Sequence, residues 1–185
     1  MTRERWRERP LALIGLSGCG KSTVAPLLAD ILATEVFDVD AAIAAVSGLT
    51  AAEYFARHGE PAFRRAESQQ LAVGLEQRRI VACGGGIVLS ADNRDLLRRT
   101  ATVVWLDADD AVILSRLHGT GEIRPNLQGD AAGRLAVQRV LRTPLYAATA
   151  DLRIDSGTAD PADLAARIIA FLDQPRLTET RHGSN

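Results

Sequence analysis

The run Gly15-Leu16-Ser17-Gly18-Cys19-Gly20-Lys21-Ser22-Thr23 constrains this chain more than any other stretch. It meets the spacing G-x-x-x-x-G-K-[ST] at every fixed position, with Gly15, Gly20, Lys21 and Ser22. Before it, Leu11-Ala12-Leu13-Ile14 is a short apolar run that reads as a buried parallel strand. After it, Val24 to Leu32 reads as a helix. Strand, glycine loop and helix make a phosphate cradle. The loop's N–H groups point inward, the helix N-terminus carries partial positive charge, and Lys21 adds a full one. Ser22 can set its hydroxyl on a Mg²⁺ ion bridging two phosphates. The plain alternative is a tight turn, and the agreement of motif and context speaks against it. The loop implies a nucleoside triphosphate and leaves the acceptor open.

The rest of the chain narrows the class. Its 185 residues suit one domain with a sizeable core. A net charge of −1 gives no support for nucleic-acid or membrane partners. No apolar run approaches the roughly 20 residues that span a bilayer. Met1 to Pro10 is rich in Arg and Glu and lacks the apolar stretch of a signal peptide. Cys19 and Cys83 form no metal-type spacing, so reduced thiols in a cytoplasm are expected. Aromatic residues are only 4%, so Ala, Leu, Val and Ile must fill the core.

Apolar, β-branched runs alternate with helical stretches, the pattern of an α/β domain with a parallel sheet. Five strands are predicted: Leu11–Ile14, Glu35–Asp38, Ile80–Cys83, Thr102–Leu106 and Leu152–Ile154. Helices fall between them, and the last spans Pro161 to Leu172, with Pro161 suited to its first turn. Residues 175–185 are polar and expected to fray. Pro26 is an anomaly, because it falls past the first turn of the helix after the glycine loop.

Several later residues are candidates for the acceptor side. Alternation along the second strand would put Asp38 and Asp40 on one side, at the edge where open α/β sheets bind ligands. One carboxylate could hold the water shell of Mg²⁺ and the other accept a proton; the alternative is a pair of helix caps. In the helical stretch 49–77, Arg64 and Arg65 point different ways, so at most one faces a ligand, and Arg65 reads as a surface residue. His58 reads as structural. Gly84-Gly85-Gly86 ends the third strand and permits close approach of backbone to a ligand, and Cys83 before it reads as a small buried hydrophobe. Asp107 to Asp110 would cap the next helix, which should end near Arg116 and Leu117. Residues 118–129, glycine-rich and polar around Arg124-Pro125, read as a mobile lid that delivers an arginine to a transferring phosphoryl group. Arg139 and Arg142 follow on the next helix.

Together these motifs resemble the shikimate kinase family over about residues 11–172. The glycine loop matches the family's phosphate loop, and Phe37-Asp38-Val39-Asp40 its F-x-D-x-D element. Gly59-Glu60 with Phe63-Arg64 and Glu67 matches its G-E-x-x-F-R-x-x-E block. Gly84-Gly85-Gly86 matches its triple glycine, Arg124-Pro125 its lid, and Arg142-Thr143-Pro144-Leu145-Tyr146 its R-x-P-L-Y block. The resemblance implies a nucleoside monophosphate kinase fold, α/β in three layers, with a five-stranded parallel sheet of order 2-3-1-4-5. It implies transfer of the γ-phosphate of ATP to the 3-hydroxyl of shikimate, with Mg²⁺.

The same resemblance implies roles. Asp40 contacts the substrate hydroxyls as general base, and Asp38 supports Mg²⁺ through water, with Ser22 on the metal. Arg64 and Arg142 grip the shikimate carboxylate, and Gly84, Gly85 and Gly86 line the acceptor. Lys21 and Arg124 stabilise the phosphoryl group. Gly18, Cys19, Gly20, Lys21, Ser22 and Thr23 hold the ATP phosphates, and Arg116 lies against adenine. The implied domain is single, with a core at about 10–173, an acceptor segment at about 41–77 and a lid at about 118–133. A cytoplasmic monomer that binds ATP, ADP and shikimate, and neither nucleic acid nor membrane, is expected. The physics fits, since arginine forks suit a carboxylate and phosphoryl transfer needs mainly positioning and charge.

The sequence departs from the family pattern in three places. The lid has Asn126 where Leu is usual, the segment 41–45 lacks a common Glu, and the turn 156–160 lacks an Arg often near adenine. Two alternatives stay open. One is another small-molecule kinase, of gluconate or nucleotide type. The other is a non-catalytic, kinase-like ligand-sensing domain, against which the intact Lys21, Asp38, Asp40 and Arg124 argue.

Overall fold

The computed structural model describes residues 9–77, 79–120 and 130–174. Five strands alternate with helices along the chain: β1 (Leu11–Ile14), β2 (Val36–Asp38), β3 (Ile80–Ala82), β4 (Thr102–Asp107) and β5 (Leu152–Asp155). The helices are α1 (Lys21–Leu32), α2 (Val39–Ser47), α3 (Ala51–Leu75), α4 (Ala91–Thr100), α5 (Asp110–Thr120), α6 (Ala131–Thr149) and α7 (Pro161–Leu172), with a 3-10 turn at Ile87–Leu89. All strand pairs are parallel and the order is β2-β3-β1-β4-β5. The expected architecture is therefore the observed one, and the strand bounds differ by a residue at some ends.

The period of two along β1 divides the core. Leu11 and Leu13 point to one face, where they pack with Val24, Ala25 and Leu28 of α1 and Leu164 and Ile168 of α7. Ala12 and Ile14 point to the other face, against Phe63 and Leu71 of α3, Leu97 of α4 and Tyr146 of α6. Both faces are covered, so every residue of β1 is buried. Aliphatic side chains dominate both clusters, as the low aromatic content requires.

β1 is central between β3 and β4; from β1 the chain runs out to β2, returns to β3 and then crosses to β4 on the other side. That reversal opens a crevice at the carboxyl ends of β1 and β3. The glycine loop follows β1 and the triple glycine follows β3, so the topology brings the two loops together.

Four local features differ from, or add to, the sequence reading. Strand alternation stops before Asp40: β2 ends at Asp38, whose side chain caps α2 by accepting from the Ala41 N–H at 3.0 Å, and Asp40 lies in that helix's first turn. The helical stretch from Ala51 is broken at Gly59, where φ 78° and ψ 168° are open only to glycine, so α3 is two helices across a kink. α1 runs through Pro26, which lies on its exposed side. The carbonyl that loses its N–H donor there can turn toward water. The acidic run 107–110 does more than precede α5. Asp107 and Asp110 receive Arg139 of α6 at 3.0 and 2.5 Å, and Asp107 also receives Arg153 at 2.8 Å.

Candidate active site

A cavity of about 450 Å³ opens at the crevice. Ser17 to Val24, Asp38, Asp40, Gly84, Gly85, Arg116 and Ser156 are among the residues that line it.

The glycine loop forms its floor. Gly15 has φ +140°, and a Cβ there would run into the Leu106 carbonyl, so the turn out of β1 admits only glycine. Lys21, in the first turn of α1, folds back over the loop, and its ammonium donates to the carbonyls of Gly15 at 2.8 Å and Leu16 at 2.9 Å. The carbonyl of Gly18 accepts from Arg116 at 3.5 Å, and that of Cys19 from Ser156 at 2.7 Å. At the start of α1 the Thr23 N–H turns back to the Gly20 carbonyl at 3.1 Å, and the N–H groups before it lack the acceptor of a helix interior, so the loop and helix end offer donors to an anion. Arg116 also holds the β5–α7 connection through the carbonyls of Ser156 at 2.8 Å and Gly157 at 3.0 Å.

The triple glycine forms the opposite wall. A Cβ on Gly85 would come within 3.1 Å of the Ser17 N–H nitrogen, so the two loops touch. A Cβ on Gly84 would meet Glu67 and Asp40, and one on Gly86 would overlap the Arg64 guanidinium. The glycines are thus required by the side chains packed against them. The Gly85 carbonyl accepts from Tyr146 at 2.5 Å and from Arg142 at 3.1 Å. Tyr146 is fully buried and stacks on Trp105.

Arg64 is clamped by two glutamates. Its guanidinium bonds Glu60 at 3.0 Å one turn before it and pairs with Glu67 one turn after it. Glu67 is 1% exposed. Burial raises its carboxyl above the usual range, Arg64 pulls the other way, and the charge of Asp40 adds to the rise. Burial alone would lower the Arg64 guanidinium, but Glu67 and Glu60 prevail and raise it.

The structure brings most of the expected residues together. Gly18, Cys19, Gly20, Lys21, Ser22, Thr23, Asp38, Asp40, Gly84, Gly85 and Arg116 line one cavity. Arg64, Gly86 and Arg142 do not line it; they adjoin it, Arg64 against Gly86 and Arg142 on the Gly85 carbonyl. Arg65 is exposed, as expected. Cys83 is buried, and burial drives its thiol far above the usual range. Arg124, Pro125 and Asn126 lie outside the described residues, as do the segments 1–8 and 175–185. The described ends of the expected lid are helical, since α5 continues to Thr120 and α6 begins at Ala131.

Three residues in or against the cavity were given no role in the sequence reading: Glu67, Tyr146 and Ser156. The spacing 60–64–67 does carry a signal, because these positions share one helical face. Tyr146, although part of the R-x-P-L-Y block, and Ser156 act on carbonyls far away in the chain, which no local spacing reveals.

The donor set fits Mg²⁺. The Ser22 hydroxyl and the Asp38 carboxylate supply hard oxygen ligands on one cavity. Among the described residues, no group of three or more His, Cys, Asp or Glu could hold a metal alone. Mg²⁺ commonly keeps several waters and takes further ligands from phosphates, so two oxygens suffice.

Comparison with known proteins points one way. A family model described as shikimate kinase matches residues 17–173. A shikimate kinase of Symbiobacterium thermophilum is 39% identical over 167 residues, covering 89% of this chain and 96% of that protein. One from Gloeobacter violaceus is 44% identical over 154 residues, covering 82% and 86%. The structure of a shikimate kinase from Acinetobacter baumannii in complex with shikimate superposes with a TM-score of 0.85 at 31% identity, covering 92% of this chain and 96% of that one.

Proposed function

The chain belongs to the shikimate kinase family, and from that premise we propose how its residues divide the work. It is an ATP-dependent kinase. It moves the γ-phosphate of ATP to the 3-hydroxyl of shikimate, giving shikimate 3-phosphate and ADP on the route to chorismate and the aromatic amino acids.

The donor half is the glycine loop. Gly18 to Thr23 hold the phosphates of ATP, and Lys21 exchanges its loop carbonyls for phosphate oxygens as charge develops on the transferring group. Arg116 lies beside the β5–α7 connection and takes the adenine. Ser22, and Asp38 through water, would hold Mg²⁺, which would supply charge neutralisation to the phosphates.

The acceptor half faces it. Asp40 accepts the proton of the 3-hydroxyl as that oxygen attacks. The guanidinium of Arg64 has five N–H donors. Its bonds to Glu60 and Glu67 leave some of them for the shikimate carboxylate. Arg142 supplies a second fork, and Gly84, Gly85 and Gly86 bring backbone against the ring. Arg124 joins Lys21 on the phosphoryl group by its motif alone.

We assign these parts to one kinase domain, with residues 41–77 as its acceptor segment and 118–133 as its lid. Both half-sites come from a single chain, so a monomer suffices. Neither the net charge of −1 nor any single described helix favours nucleic acid or a membrane: no such helix is long and apolar enough to cross one. The two free cysteines suit a reducing cytoplasm.

The observation that supports this reading is the contact of the two loops, with Asp40, Gly84 and Gly85 lining the same cavity as Lys21. It is tested by an ADP-release assay with shikimate, quinate, gluconate and nucleoside monophosphates as acceptors. Turnover with shikimate is expected to exceed the others. No turnover with shikimate at saturating ATP and Mg²⁺ would overturn the reading.

A further inference from the structure

Ser156, at the end of β5, is fully buried, yet it lies against the phosphate loop 137 residues before it. Its N–H donates to the Asp107 carbonyl at 2.6 Å. Its hydroxyl oxygen is 2.9 Å from that same carbonyl and 2.7 Å from the carbonyl of Cys19. A serine hydroxyl has one proton to give. The Cys19 carbonyl is the shorter of the two contacts, so the proton is assigned to it.

That bond fixes more than one atom. A trans peptide sets its C=O and its N–H on opposite sides, and none of the described peptide bonds is cis. Holding the Cys19 carbonyl toward Ser156 therefore turns the Gly20 N–H away from it. Gly20 is the N-cap of α1, so this N–H belongs to the donors at the loop and helix end that suit an anion. The neighbouring Gly18 carbonyl is held by Arg116, which also grips the Ser156 carbonyl. Two successive carbonyls of the loop are thus contacted, Cys19 from the β5–α7 connection and Gly18 from α5. A donor already aimed needs no reorientation when charge arrives.

We propose that Ser156 is a positioning residue for ATP: through the Cys19–Gly20 peptide, its hydroxyl aims the Gly20 N–H at a phosphate. The role rests on the donor-site reading above. It makes the β5–α7 connection a participant in phosphate binding.

The test is Ser156→Ala in the full chain, read by the KM for ATP, the KM for shikimate and direct calorimetric binding of pyrophosphate. Loss of one oriented hydrogen bond should weaken ATP and pyrophosphate by the same factor, roughly three- to tenfold. The KM for shikimate should stay where it is, and Ser156→Thr, which keeps the hydroxyl, should restore both affinities. If Ser156→Ala does not fold, Ser156→Cys keeps the volume with a weaker donor and should weaken pyrophosphate in the same direction. Pyrophosphate binding that is unchanged in the variant, or a shikimate KM that moves together with that for ATP, would overturn the role of Ser156. Wild-type protein that binds neither ATP nor pyrophosphate would overturn the donor-site reading itself.

Discussion

The Tyr146 hydroxyl donates to the Gly85 carbonyl at 2.5 Å, across 61 residues of sequence, and Arg142 donates to the same oxygen from one turn earlier on α6. Two donors on one carbonyl fix the plane of the Gly85–Gly86 peptide. The wall of the acceptor side is therefore held by α6, a helix that belongs to neither loop. Tyr146 is kept neutral by its setting, since burial drives its phenol well above the usual range.

Tyr146→Phe removes one hydrogen bond and keeps the stack on Trp105. The KM for shikimate should rise roughly three- to tenfold, while ATP affinity stays near wild type. Steady-state kinetics over both substrates checks this. A rise confined to ATP would place Tyr146 on the donor side.

Asp40→Asn keeps the shape of the side chain and removes its capacity to take a proton. We expect kcat to fall about 10²- to 10⁴-fold, with ADP binding by calorimetry unchanged. Near-full activity in this variant would move the general base elsewhere.

Gly86→Ala puts a methyl group into the space of the Arg64 guanidinium. The guanidinium is the far end of a flexible side chain, so it moves and the backbone stays. Acceptor binding should weaken by up to roughly a hundredfold, and Arg64→Ala should match it in direction. A change in ATP affinity instead would separate Arg64 from the acceptor.

Glu67 makes stability depend on pH with a definite sign. Burial raises its carboxyl above the ordinary value, so the folded chain holds that proton more tightly than the unfolded chain. Its contribution is fully present below the unfolded value and is lost as pH rises through the folded value. Urea unfolding from mild acid to neutral pH should show this decline, and Glu67→Gln, which cannot titrate, should flatten it. An equal slope in both proteins would assign it to another group. The variant should also raise the KM for shikimate, because Arg64 loses its buried partner.

Much of this protein was legible locally. The phosphate loop, the strand and helix order, the kinase family and the terminal helix at Pro161 all followed from contiguous residues. Such motifs state backbone needs at fixed spacing: glycine at Gly15, where a Cβ meets the Leu106 carbonyl, and proline at the first turn of α7. The 60–64–67 spacing was equally local, although its meaning needed the burial of Glu67. The β-alternation applied to Asp40 failed because the Asp38 side chain caps a helix and ends the strand. That choice between strand and cap is settled by what packs on the segment, here α2 against α3.

The sequence by itself determined the donor: a triphosphate loop between one buried strand and one helix. Tertiary structure decided what aims that loop and its opposite wall. Ser156 reaches the Cys19 carbonyl because β5 lies beside β4 and ends near the turn out of β1. Tyr146 reaches Gly85 because α6 covers the face of the sheet that carries Trp105. Hydrogen bonds of this kind depend on strand order and helix packing, which set distances between residues that no spacing along the chain encodes.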